Sequence, residues 1–163
     1  GQVWWPADAR DIGQPVQMSD ADAALMEASL TAVADAGIDI RHTLFERFFT
    51  AYPERRASFI SVDAASRRMT DETLQMMFGL AGAEEWVWPL VAELVFTHRS
   101  YGALPIGEYD AFIDMTVAEL GLAAGPAWSV PVAAAWQRQA DALKAMIRKA
   151  RVEWASAMPA GAP

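Results

Sequence analysis

The chain contains no cysteine, which excludes a disulfide framework, a thiolate metal ligand and a cysteine-held iron–sulfur cluster. Histidine is nearly as scarce, since His42 and His98 are the only two. Positive charge is outnumbered: 13 Lys and Arg stand against 21 Asp and Glu, a formal net charge of −8. Polyanion binding requires clustered cations, so a nucleic-acid partner is not expected. No apolar run is long enough to cross a bilayer, and no basic-then-apolar signal segment opens the sequence, so a soluble cytoplasmic protein with no membrane partner is expected. Glycine and proline are modest and charged residues make up 21%, which disfavours fibrous and disordered classes. What remains is 163 residues with 53% hydrophobic content, enough for the core of one domain.

Residues 1–18 carry Trp4, Trp5, Pro6 and Pro15 without an apolar period and read as an extended arm. The domain follows over 19–155, with a short tail at 156–163. Ser19, before Asp20 and Asp22, reads as the N-cap of a helix through Leu25, Leu30 and Val33 that ends near Gly37. Ile40, Leu44, Phe45, Phe48 and Phe49 recur at helical spacing, and Pro53 opens a further short turn ending at Phe59 and Ile60. A helix from about Ala64 to Leu80 places Met69, Thr73, Met76, Met77 and Leu80 on one side, with Gly79 and Gly82 loosening its end. Trp86, Val87, Leu90, Val91, Leu94 and Val95 lead into His98, and Pro89 is tolerable only near that helix's start. Pro105 begins another helix, stopped by Gly121 and Gly125, and the last runs from about Pro131 to Ala155. Six main helices and no convincing strand define an all-α protein.

His98 stands at the end of an apolar helix with Tyr101 and Gly102 just beyond it. Neutral imidazole is a common iron ligand, and such a placement fixes one against a porphyrin. His42 lies on a helix rich in exposed charges and reads as a surface or interhelical residue.

The order of these signals resembles the globin family from about Ser19 to Ala155, most closely the bacterial single-domain globins and the haem domain of flavohaemoglobins. The run from Leu44 to Phe59 is similar to the family's second and third helices, with Pro53 after the corner and Phe59 at the phenylalanine that stacks on haem. His98, followed by Tyr101, Gly102, Leu104 and Tyr109, is similar to the proximal histidine, its turn and the start of the next helix. The resemblance implies a globin-like three-on-three helical sandwich enclosing haem b, with His98 as the metal ligand. Phe59, Phe45, Met69, Thr73, Leu94, Tyr101, Leu104 and Tyr109 are the further cofactor-binding candidates. Phe48, Met77, Leu80 and Phe112 are available for the apolar wall, and Arg67, Arg68 or Arg99 for the propionates.

The sequence departs from the family on the distal side. Where flavohaemoglobins present a tyrosine to the gas, this chain has Phe45. The window Ser66 to Thr70 contains neither distal glutamine nor distal histidine; Met69 is the expected distal residue, with Ser66 the competitor and Thr70 or Thr73 a partial polar substitute. Such a pocket is largely apolar and holds a polar gas weakly. On the proximal side, Tyr109 resembles a flavohaemoglobin tyrosine that joins an acidic partner from the last helix in a relay raising the histidine's basicity; Glu153 is the nearest acidic residue but not a clean match.

The expected function is reversible binding of a diatomic gas, oxygen or else carbon monoxide or nitric oxide, without side-chain catalysis. One alternative is a nitric oxide dioxygenase or other redox haem enzyme served by a separate reductase, since no flavin module follows. Another is a haem-free globin-fold signalling or interaction module. The oligomeric state stays open.

Overall fold

A computed structural model describes residues 17–98 and 104–157, and among these residues every regular element is helical. The order is α1 (Gln17–Asp35), α2 (Arg41–Ala51), a 3-10 turn (Pro53–Ser58), α3 (Val62–Ala81), α4 (Val87–His98), α5 (Ile106–Ala124), a second 3-10 turn (Gly125–Ala127) and α6 (Val130–Ala157). The protein is therefore all-α as expected. The expected arm falls almost wholly outside the described residues. Among them, no helix is long and apolar enough to cross a membrane.

Local chemistry sets most boundaries. Helix α1 is already under way at Gln17, so Ser19 has helical backbone and is not the cap, which requires a non-helical residue. It closes where Gly37 takes a φ of +69°, letting Ile38 N donate to Val33 O at 3.3 Å. Asp39 replaces a side-chain cap for α2, accepting from Arg41 N at 3.0 Å and Arg41 Nε at 3.1 Å. Pro53 biases Tyr52 away from helical geometry and pre-sets the 3-10 turn. Ser61, in extended backbone, caps α3 by accepting from Ala64 N at 3.3 Å, starting that helix slightly earlier than expected. Pro89 sits within the first turn of α4, where its missing N–H costs nothing.

Two glycines act differently from expectation. Gly79 does not loosen α3; a Cβ there would stand 2.6 Å from Trp86 Cζ2 and 2.7 Å from Val87 Cγ2, so its bareness lets α4 approach. Gly121 does not stop α5, which continues to Ala124 because Trp128 packs where its side chain would be, 2.8 Å from an ideal Cβ. Gly125, at φ +54°, makes the turn instead.

Helix α6 is the spine, packing against α1, α3, α4 and α5. Its Trp136 is fully buried and donates from Nε1 to Ser29 Oγ at 2.8 Å, while Ser29 donates to Met26 O at 2.7 Å. This keeps a polar indole satisfied inside the larger core. A smaller aromatic core gathers Leu44, Phe45, Phe48 and Phe112. Residues of both cores line one crevice, Phe48 and Phe112 from the smaller and Met76, Ile113, Leu143 and Ile147 from the larger.

Candidate functional site

The apolar period of α4 buries Val87, Val91 and Val95 in the larger core. One face around, Leu90, Leu94 and His98 line the crevice at successive turns. His98 Nδ1 lies 2.8 Å from the Leu94 carbonyl oxygen. A carbonyl can only accept, so Nδ1 carries the hydrogen in this contact. This hydrogen bond fixes the orientation of the imidazole within the crevice.

The crevice has a volume of about 560 Å³, well within the roughly 300–1,000 Å³ of small-molecule and cofactor sites. Phe59, Met69, Thr73 and Leu94 line it with His98, as do Leu104 and Tyr109 across the mouth. Residues far apart in sequence thus converge: the Phe59 corner, the inward face of α3, the end of α4 and the start of α5. The rings of His98 and Tyr109 are 6.0 Å apart at an interplanar angle of 59°.

Other candidates stand elsewhere. Phe45 is buried behind Phe59, edge-on at 5.9 Å between ring centroids, and supports the wall without lining it. Ser66 is buried, donates to Asp63 O at 3.0 Å, and lines a separate groove with Phe45 and an exposed His42. Thr70 is also buried away from the crevice, its Oγ1 without a hydrogen-bond partner among the described residues. Met77 and Leu80 pack into the larger core, and Met76 takes the lining position. Of the three arginines considered, Arg68 lines the crevice, Arg67 is exposed with Asp63 at 4.0 Å, and Arg99 lies outside the described residues with Tyr101.

Several lining residues are not evident from sequence. Leu143 and Ile147 reach in from α6, four positions apart in an apolar stripe that reads only as core. At the mouth, Arg55 and Glu108 form a two-pronged pair, Nε to Oε1 at 2.6 Å and Nη2 to Oε2 at 2.8 Å. The Glu108 hydrogen bonds hold the Arg55 guanidinium above its ordinary pKa. Burial pushes the Tyr109 phenol up, with Arg151 opposing that rise and Glu108 adding to it. The proximal acid weighed from sequence, Glu153, faces solvent 3.8 Å from Lys149.

No protein-family model matches this chain, and no curated protein or solved structure matches it. The lining of the crevice is mainly apolar, includes the oriented His98 imidazole, and carries the charged side chains of Arg55, Arg68, Glu72, Glu93 and Glu108.

Proposed function

We propose that this crevice holds haem b through His98 and that the protein binds a diatomic gas reversibly at the iron, its helices taking the globin-like three-on-three arrangement. The observation that carries the reading is the Nδ1 hydrogen bond from His98 to Leu94 O, inside a cavity that also gathers Phe59, Met69, Thr73, Leu104 and Tyr109. A porphyrin supplies its own in-plane donors, so a single oriented protein nitrogen is the donor set it needs. When bound, the haem supplies the redox-active iron and a coordination position for the gas.

The chain's residues do the rest. His98 anchors the group and Phe59 packs against its face, braced by Phe45 and by Phe49 at 5.4 Å. Met69 and Thr73, one turn apart on α3, line the same crevice. Methionine is no hydrogen-bond donor and Thr73 offers only a hydroxyl, so the wall favours release of a polar gas over its activation. That composition supports a binding protein over a nitric oxide dioxygenase or peroxidase. Arg68, at the mouth, is a cation suited to a haem carboxylate.

Ultraviolet–visible spectra of the reconstituted protein test the proposal. Stoichiometric haem uptake with a reduced spectrum that shifts on adding carbon monoxide or oxygen supports it. Failure to take up haem would turn the crevice toward a haem-free interaction module.

A further inference from the structure

Helix α6 also reaches Leu104, just ahead of α5. Arg151 Nη1 donates to the Leu104 carbonyl oxygen at 2.7 Å, and Leu104 lines the crevice together with Tyr109 and His98. Glu153, in contrast, is 55% exposed and turned to Lys149. Of the acids lining the crevice, Glu108 is held by both prongs of Arg55, which offsets its charge, while Glu72 and Glu93 come from α3 and α4. What the last helix brings to the His98 side is therefore a guanidinium, a charge that persists at every working pH. Its charge opposes the upward push of burial on the phenol of Tyr109, which lines the crevice.

We propose that Arg151 is a positioning residue of the His98 side: it ties the Leu104 carbonyl to α6 and supplies a fixed positive charge that favours the reduced, gas-accepting state of the bound iron. The inference rests on the haem reading above. One-electron reduction removes a unit of positive charge from the site, so a nearby cation disfavours the oxidised form more than the reduced form, and partial burial limits solvent screening. An anion in the same place does the reverse, strengthening the histidine's donation and favouring the oxidised state. Arg151 thus has the sign suited to reversible binding, and opposite to that of the acidic relay partner which resemblance implies.

The test is the reduction midpoint of the full-length haem-loaded protein for wild type, Arg151→Lys, Arg151→Gln and Arg151→Glu, with thermal unfolding of the haem-free forms alongside. Arg151→Gln is expected to lower the reduction equilibrium constant by about tenfold, a shift of ~59 mV for one electron. Arg151→Glu should shift it further in the same direction, and Arg151→Lys should stay near wild type. A purely structural role would destabilise all three haem-free variants without ordering the midpoints by charge, and that result overturns the inference while leaving haem binding intact. A wild-type protein that takes up no haem overturns both.

Discussion

Phe45 meets Phe59 edge-on, with ring planes at 88° and centroids 5.9 Å apart. One ring is buried in the aromatic core and the other forms the crevice wall, so the shape of the crevice depends on packing one layer behind it. Phe45→Ala should therefore lower the unfolding free energy by about 3–5 kcal/mol, as for a large buried aromatic, and accelerate haem loss. Urea denaturation of the haem-free protein measures the first effect. His42→Ala on the same helix is the control, expected to change stability by no more than about 0.5 kcal/mol because the side chain is exposed.

Met69→Gln introduces a hydrogen-bond donor at the crevice wall. One net bond to a polar gas is worth about 1 kcal/mol, roughly a fivefold slower oxygen release. Flash photolysis or stopped-flow displacement measures it; an unchanged release rate would mean that residue 69 does not face the gas.

Gly79→Ala pits helix propensity against packing. Alanine is favoured in a helix by about 1 kcal/mol, but its Cβ would fall 2.6 Å from Trp86 and 2.7 Å from Val87. Forcing α3 and α4 apart costs about 1–3 kcal/mol, so a lower melting temperature is expected. A rise would show that Trp86 yields without cost.

Asp22 ties α1 to α6: its carboxylate accepts from Arg138 at 2.6 and 2.9 Å and from Gln139 at 3.0 Å. The Arg138 hydrogen bonds lower its pKa below the ordinary 3.8, outweighing the upward push of burial. A depressed folded-state pKa contributes stability that is fully present above the unfolded value and lost as pH falls through the folded one. Stability of the wild type should thus fall below about pH 4, and Asp22→Asn should remove that part of the decline. Denaturation curves collected between neutral and acidic pH decide; equal slopes for both proteins would contradict the assignment.

Much of the helix order was legible because each element carries an apolar period bounded by Pro53, Pro105 or a glycine turn. Seven residues singled out from sequence, Phe59, Met69, Thr73, Leu94, Leu104, Tyr109 and His98, line one crevice, whereas Phe45 does not and Tyr101 lies outside the described residues. Helix rotation was less legible. Met76 and Met77 are adjacent and equally apolar, yet only Met76 lines the crevice, because neighbours on a helix differ by about 100° in direction. Gly121 read as a stop because the packing of Trp128 on it is tertiary. The Arg55–Glu108 pair spans 53 positions, and neither residue has a local pattern that announces the other.

The central claim is that His98 holds the iron. Absorption spectra of wild type and His98→Gly after haem reconstitution, reduced and then exposed to carbon monoxide, test it most directly. The account predicts stoichiometric haem and a histidine-ligated reduced spectrum in wild type, loss of both in the variant, and recovery of the spectrum when free imidazole is added. A variant that retains haem with an unchanged spectrum would contradict it.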